Sequence, residues 1–349
     1  MHFTYPTTGC FMKTSAGSFR NLALGLISAV AMCVATGASA AEKVSVRLKW
    51  LPQAQFAGFY VAKAKGFYDQ AGLDLTINPG GPNLNVETLV AAGNDTFGLA
   101  GGIETVLFAR EKQLPVVCIG VTVQTTPYAY VTYKDSGIKT VKDFKGKKVA
   151  TWFTGTQYTL YTLLAKEGIA QGDLTIVPQP SSMTPFIEKQ FDVANTTIFN
   201  ELNTLKEQGL GDKIVMIRPD DYGVITQQDS IIVSEKTRKE KPEQVQAFLN
   251  ATIKGWKYAL QNKTEAIDII MAAAPTLNRK HQELMLDEFE KLMKAGKGGT
   301  EGITAIDMPV IAKVHEMLIT YKALKAPIDM AAAYDASFWT KVPVGDKKF

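Results

Sequence analysis

The chain has 349 residues, with 38 basic and 34 acidic side chains and a formal net charge of +4. Its basic residues are dispersed, and the run KTRKEK at residues 236–241 includes an acid, which is typical of a solvated helix start. A nucleic-acid partner would require a clustered basic surface, so the composition does not predict one.

The first 40 residues have the features of a secretory signal peptide. Basic residues precede an apolar run at residues 22–35, and residues 38–40 are the small side chains that a signal peptidase recognises. The apolar run is too short for an ordinary membrane span. We expect cleavage after Ala40 and a periplasmic location, with Met1 and Met12 as alternative starts.

The expected mature chain, residues 41–349, keeps one cysteine, Cys118. A single cysteine cannot form an internal disulfide, so the hydrophobic core must stabilise this exported protein. We expect a monomer.

Short apolar strands alternate with amphipathic helices, which predicts an α/β fold with mostly parallel sheets covered on both faces. The first group of predicted strands lies at residues 44–48, 73–77, 97–100 and 116–121. The alternating pattern then begins again, with predicted strands at 129–133, 148–151, 174–178 and 192–195 and helices beginning at 140 and 156. A strand at 230–233 then leads to Pro242, at the first turn of a long helix, and the chain reads as helical from there to Phe349.

The two groups of strands predict two lobes joined by two crossing segments, near residues 130 and 226. The first lobe would combine residues 41–129 and 227–349, and the second would be residues 130–226. Ligands of such sheets bind beyond the carboxyl ends of the strands, so we expect a site in the cleft between the lobes.

Four candidate ligand residues follow the first strand: Trp50, Gln53, Gln55 and Phe56. An indole face and two amides could hold a flat ligand that has hydrogen-bonding edges. The alternative is that Trp50 and Phe56 cap the core of the lobe.

Other strand ends carry glycine or polar residues, and they supply the candidates Gly101, Gly102, Thr126, Thr154, Gly155, Thr156 and Gln157. Residues 154–157 begin a helix, whose free N–H groups suit a ligand oxygen. An ordinary N-cap by Thr154 or Thr156 would explain the same residues without a ligand.

Four segments carry a family resemblance: LKWLPQAQFAGFYVAKAKGFYDQAGLDL, DTFGLAGGIETVLFAREKQLPVV, GIKTVKDFKGKKVA and KPEQVQAFLNATIKGWKYAL. They resemble the solute-binding proteins of ABC importers in the superfamily shared with thiamine-pyrimidine synthase. QAQFAG and NPGGPN are most similar to the riboflavin-binding branch.

The resemblance implies a periplasmic-binding-protein fold of type II, with two lobes that close on the ligand by hinge motion and then dock on an inner-membrane permease. It also implies a planar nitrogen heterocycle as ligand, either a pyrimidine precursor of thiamine or riboflavin, and no cofactor.

The first alternative is an enzyme like thiamine-pyrimidine synthase, which builds its product from a histidine and pyridoxal phosphate. That chemistry requires a lysine, a histidine and a cysteine cluster. When this chain is matched to the synthase pattern, Ala100 takes the place of the lysine and Glu104 takes the place of the histidine. Residues 223–227 match the cysteine-rich run and contain no cysteine. We therefore expect no enzymatic activity, and we count Glu104 among the candidate ligand residues.

The second alternative is a taurine or alkanesulfonate binder, whose anion site would require an arginine or several converging N–H donors. The candidate loops contain no arginine. Glu201 matches a position where pyrimidine-binding relatives use a carboxylate, although a solvated glutamate at a helix start is the alternative, and Phe199 only partly reproduces their preceding aromatics. Tyr222 flanks the return crossing and could close the cleft.

Overall fold

The computed structural model describes residues 40–82 and 84–349. The predicted signal peptide lies outside the described residues except for its last residue, Ala40, and Asn83 of the NPGGPN segment lies outside them as well. Among the described residues, no helix combines the length and the apolar character that a membrane crossing requires. The same residues contain no cluster of three or more His, Cys, Asp or Glu side chains suited to a metal ion.

The first lobe is built on a five-stranded sheet. Its strands are β1 (Glu42–Arg47), β2 (Leu73–Asn78), β3 (Phe97–Gly102), β4 (Val116–Val123) and β10 (Gln228–Ser234). They lie in the order β2-β1-β3-β10-β4. β1 is parallel to β2 and β3, whereas β10 is antiparallel to both of its neighbours.

The second lobe is built on another five-stranded sheet. Its strands are β5 (Tyr128–Tyr133), β6 (Lys148–Thr151), β7 (Thr175–Pro178), β8 (Val193–Thr197) and β9 (Ile214–Ile217). They lie in the order β7-β6-β8-β5-β9. β6 is parallel to β7 and β8, and β5 is antiparallel to β8 and β9.

The chain crosses between the lobes at residues 124–127 and returns at residues 223–227. The strands that follow the crossings, β5 and β10, are the antiparallel members of their sheets. Tyr128 and Ala129, placed at the end of the first lobe by the sequence, pair with Thr197 and Thr196 of the second sheet.

Helices cover both sheets. Those before the return crossing are α1 (Ala57–Ala64), α2 (Phe67–Gln70), α3 (Val86–Ala91), α4 (Ile103–Glu111), α5 (Thr156–Lys166), α6 (Thr184–Ile187) and α7 (Glu201–Glu207). After β10 the helices are α8 (Glu235–Glu240), α9 (Pro242–Gln261), α10 (Lys263–Ala273), α11 (Arg279–Met293), α12 (Gly296–Thr300), α13 (Met308–Thr320), α14 (Met330–Ala333), α15 (Ser337–Lys341) and α16 (Val344–Lys347). The α/β architecture with a helical C-terminal part is therefore confirmed, including the start of α9 at Pro242.

Two local expectations differ from the structure. The helix expected to begin at residue 140 is a single 3-10 turn, Val141–Phe144, and Gly146 follows it with a φ of 74°, which a right-handed helix cannot continue through. The short edge strand β9 carries only four residues and was not predicted.

The core of the first lobe has an aromatic centre. Phe97 of β3 stacks on Phe248 of α9 with ring centroids 3.7 Å apart, and Trp256 of α9 stacks on Phe289 of α11 at 5.4 Å. The first contact packs α9 against the sheet, and the second packs α11 against α9.

Candidate functional site

A cavity of about 50 Å³ lies between the lobes, next to the carboxyl ends of β1, β3, β6 and β8. Seven predicted residues line it: Trp50, Gln53, Gln55, Gly101, Thr154, Thr156 and Glu201. Its other lining residues are Lys49, Tyr128, Trp152, Thr197, Phe199 and Asn200. The walls thus combine aromatic faces, amides and two groups that can carry opposite charges.

Two tryptophans from opposite lobes meet at the cavity. The rings of Trp50 and Trp152 have centroids 5.9 Å apart and planes inclined by 69°. Trp152 is buried and donates its Nε1 proton to the Pro180 carbonyl at 3.2 Å, and Trp50 packs partly against the first-lobe core. Trp50 therefore borders both the first-lobe core and the cavity.

The first-lobe wall contains a buried polar network. Gln53 Nε2 donates to Gln55 Oε1 at 2.7 Å, and Gln55 Nε2 donates to the Asp229 carboxylate at 2.9 and 3.1 Å. Lys49 Nζ forms an ion pair with the same carboxylate. The Gln55 amide nitrogen is thus used within the protein, and Gln55 orients the wall rather than offering that donor to a ligand.

A second network lies behind this wall, at the return crossing. Tyr128 Oη donates to Gln228 Oε1 at 2.8 Å, and Gln228 Nε2 donates to Glu104 Oε1 at 2.9 Å. Thr226 Oγ1 donates to the other oxygen of Glu104. Burial raises the pKa of the Glu104 carboxyl above its ordinary value, and the hydrogen bond from Thr226 acts in the opposite direction.

Glu201 presents a fixed carboxylate on the second-lobe wall. Its Oε2 accepts hydrogen bonds from Thr197 N at 3.0 Å and Thr197 Oγ1 at 2.6 Å, and its Oε1 accepts from Asn200 Nδ2 at 2.8 Å. Glu201 is only 4% exposed, so it is not a solvated residue at a helix start. Burial raises the pKa of Glu201, while the bonds from Thr197 oppose that shift.

The remaining predicted residues lie outside this cavity. Phe56 is fully buried in the first-lobe core, which agrees with the alternative role as a core cap. Gly102 and Glu104 belong to the network at the return crossing, and Thr126 Oγ1 accepts from Thr226 N at 3.2 Å, linking the two crossings. Tyr222 packs against the second-lobe core, where its hydroxyl accepts from Val141 N at 3.3 Å.

Gly155 and Gln157 line a neighbouring cavity of about 130 Å³ on the other side of Thr154. Gln157 Oε1 accepts from Gly155 N at 2.7 Å, so the amide carbonyl closes the loop at the helix start. This use of the N–H group corresponds to a local cap rather than a ligand contact.

Sequence reasoning missed five lining residues: Lys49, Tyr128, Trp152, Thr197 and Asn200. One signal for Trp152 was present, because it follows β6 directly, much as Trp50 comes soon after β1. Lys49 carried no such signal, because its partner Asp229 is 180 positions further along the chain.

Comparisons with known proteins agree with this arrangement. Residues 53–266, more than half of the chain, match the family described as NMT1/THI5 like. The riboflavin-binding protein RibY of Chloroflexus aurantiacus is 26% identical over 313 residues, covering 85% of this chain and 86% of RibY. The formylaminopyrimidine-binding protein of Halalkalibacterium halodurans is 27% identical over 291 residues, covering 79% of this chain and 86% of that protein.

Enzymes also match. The 4-amino-5-hydroxymethyl-2-methylpyrimidine phosphate synthase of Legionella pneumophila is 28% identical over 242 residues, covering 68% of this chain and 75% of the enzyme. Among solved structures, the alkanesulfonate-binding protein SsuA of Xanthomonas axonopodis pv. citri bound to MOPS has a TM-score of 0.63 at 15% identity. It covers 85% of this chain and 99% of SsuA. At that identity the likeness concerns the fold alone. The chain has the periplasmic-binding-protein fold and belongs to the NMT1/THI5-like family.

Proposed function

We propose that this protein is an extracytoplasmic solute-binding protein that holds a planar nitrogen heterocycle between its lobes and delivers it to an ABC permease of the inner membrane. The observation that carries the proposal is the interlobe cavity, where Trp50 and Trp152 come from opposite lobes beside the fixed carboxylate of Glu201. The names of the binding-protein relatives support a heterocycle as ligand.

The lining groups suit a flat ring with hydrogen-bonding edges. Indole faces bind aromatic rings by stacking or edge-to-face contact. The Glu201 carboxylate accepts N–H groups, such as those of an aminopyrimidine or of an imide. The Lys49 ammonium carries further N–H donors that suit a carbonyl oxygen or a ring nitrogen.

Binding requires the lobes to separate first. The rings of Trp50 and Trp152 meet at the cavity with centroids 5.9 Å apart, so a ring system cannot pass between them in this position. Rotation about the crossings at residues 124–127 and 223–227 would part Trp50 from Trp152 and admit a ligand. The arrangement described here is therefore a closed one.

The enzyme alternative lacks the groups that its chemistry requires. The described lining residues include no histidine and no cysteine, and Lys49, the lysine among them, is ion-paired with Asp229. An imine requires a free lysine nitrogen. Incubation with pyridoxal phosphate and iron should therefore give neither imine absorbance nor a pyrimidine product, and the appearance of both would refute the proposal.

The alkanesulfonate alternative conflicts with the charge of the site. Arginine is absent from the described lining, and the Glu201 carboxylate would repel a sulfonate. Taurine and MOPS should therefore not bind measurably.

Tryptophan fluorescence and calorimetric titrations test the proposal with riboflavin, 4-amino-5-hydroxymethyl-2-methylpyrimidine and taurine as probes. We expect at least one heterocycle to bind, and Trp50→Ala to weaken its binding by about 1–3 kcal/mol, as the loss of a buried aromatic contact does.

Leu51→Ala is the matched control, because Leu51 is 45% exposed and lies outside the cavity lining. Its affinity should equal that of the wild type. Binding of taurine in place of both heterocycles would contradict the proposed ligand class. Equal affinities for Trp50→Ala and the wild type would indicate that the ligand binds outside this cavity.

A further inference from the structure

A histidine on the first lobe bridges two residues of the second lobe at the edge of the cavity. His281 lies on α11, and its Nδ1 is 2.8 Å from Glu207 Oε2 while its Nε2 is 2.8 Å from Asn200 Oδ1. The side chain is 12% exposed. Because α11 and α7 belong to different lobes, both contacts exist only when the lobes are closed.

The bridge continues to the cavity carboxylate. Asn200 Nδ2 donates to Glu201 Oε1 at 2.8 Å, and an ionised carboxylate can only accept hydrogen bonds. This contact fixes the orientation of the Asn200 amide, so its carbonyl oxygen faces His281. A hydrogen-bonded chain thus runs from His281 through Asn200 to Glu201.

Both partners of the imidazole are acceptors. Glu207 offers a carboxylate oxygen and Asn200 offers an amide oxygen. A neutral imidazole has one N–H donor and can satisfy one of them, whereas an imidazolium donates to both. The imidazole therefore donates to at least one of them in the closed form.

We propose that His281 is a positioning residue that couples lobe closure to the ligand site: on closure it joins α11 to α7 and, through Asn200, fixes Glu201 in its ligand-binding orientation. The ligand part of this inference depends on the proposed function. The closure part does not, since it needs only the two lobes and the contacts between them.

The charges around the ring are mixed. Helix α7 carries Glu201, Lys206 and Glu207, α10 carries Asp268, and α11 carries Arg279, Lys280 and Glu283. The neighbouring 3-10 turn Ala54–Phe56 carries no charged residue. Arg279 is paired with Asp268 and Glu283, which leaves Glu207 as the carboxylate in contact with the imidazole. The positive charge of His281 also opposes the rise in the pKa of Glu201 that burial causes.

The inference predicts what the loss of the imidazole does. Without its contact with Asn200 the closed form loses an interlobe hydrogen bond and the support of Glu201, so affinity should fall about two- to tenfold, which corresponds to the loss of one hydrogen bond.

The test compares the wild type with His281→Gln and with the control His315→Gln. His315 lies on α13 of the first lobe, where its imidazole Nε2 accepts a hydrogen bond from Ile328 N. Small-angle scattering without ligand, together with titrations of riboflavin and 4-amino-5-hydroxymethyl-2-methylpyrimidine, is recorded for each protein at the same neutral pH. Melting curves verify that each variant is folded.

We expect the wild type and His315→Gln to be equally compact and to bind equally tightly, and His281→Gln to be less compact and to bind more weakly. Asn200→Ala should keep the compaction in part, through the contact between His281 and Glu207, but should weaken binding. If His281→Gln is as compact as the wild type and binds as tightly, the inference is overturned. If neither probe binds, the proposed function fails, while the scattering without ligand still decides whether His281 controls closure.

Discussion

Replacing Glu104 by glutamine should stabilise the protein at neutral pH. The carboxyl is 2% exposed, and burial is the main cause that raises its pKa in the folded protein. An amide can keep both hydrogen bonds, because its oxygen still accepts from Gln228 Nε2 and its N–H group can donate to Thr226 Oγ1. The substitution therefore removes a buried charge without removing a partner.

The size of the effect follows from opposing contributions. Burying a carboxylate costs several kcal/mol. Each of its two hydrogen bonds offsets about 1 kcal/mol more of this cost than a bond to a neutral group would. The charge of Lys49 offsets a further part of the cost. The raised pKa of Glu104 shows that folding disfavours its ionised form on balance, so we expect Glu104→Gln to gain stability, on the order of 1 kcal/mol once these contributions oppose each other.

The gain should depend on pH in one direction. Both proteins are neutral at this position below about pH 4.3, the ordinary pKa of glutamate, so their free energies of unfolding should be nearly equal there. The wild type then loses stability relative to the variant as the pH rises through the raised pKa of the folded state. Urea unfolding between about pH 4 and about pH 8 measures this difference.

Glu235→Gln is a control with the opposite sign. Its hydrogen bond with Arg110, at 2.7 Å, lowers the pKa of Glu235, so the ionised form stabilises the folded state. This variant should lose less than about 1 kcal/mol at neutral pH, and the loss should fade as the pH falls. A Glu104→Gln variant that is less stable than the wild type at every pH would show that the carboxylate is worth more than its burial costs, and would refute this reasoning.

Two further predictions concern the core. Gly255→Ala should destabilise the protein by about 1–3 kcal/mol in urea unfolding, because the added Cβ would lie 2.5 Å from the Ala62 Cβ and would also meet the Gly58 carbonyl. Gly172→Ala is the control, and it should change the stability little because the space around Gly172 is open. Burial raises the pKa of the Cys118 thiol to about 12, so a thiol reagent at about pH 8 should react slowly with the folded protein and rapidly in urea; fast reaction in the folded state would contradict the burial of β4.

The fold was predictable because its signals are local. Alternating apolar strands and amphipathic helices can be read in short windows, and Pro242 marks the start of α9 by its own backbone chemistry. The edge strand β9 was not predicted because it has only four residues, and Met216 among them is 43% exposed. So short a segment shows too little apolar alternation to be distinguished from a loop.

The candidate site was predictable only in part because its polar contacts join distant positions. Gln55 and Lys49 meet at Asp229, which adopts a φ of 60°, an uncommon backbone conformation for a residue other than glycine. No short window of sequence reveals such a pairing. The side chains of Gln55, Glu104 and Gln157, which the sequence placed among the candidate ligand residues, form hydrogen bonds within the protein.

Aromatic contacts on both flanks of the cavity also bear on how the lobes close. On one flank Phe108 of α4 stacks on Tyr158 of α5 at 3.6 Å, and on the other Phe199 meets Phe289 of α11 edge to face at 5.3 Å. Each pair joins the two lobes, and such pairs contribute about 0.5–1.5 kcal/mol beyond their buried area. These pairs thus contribute to closure with or without a ligand. Under the proposed function a ligand adds its own contacts with the closed form, and we expect the polar contacts at Glu201 to decide which ring is retained.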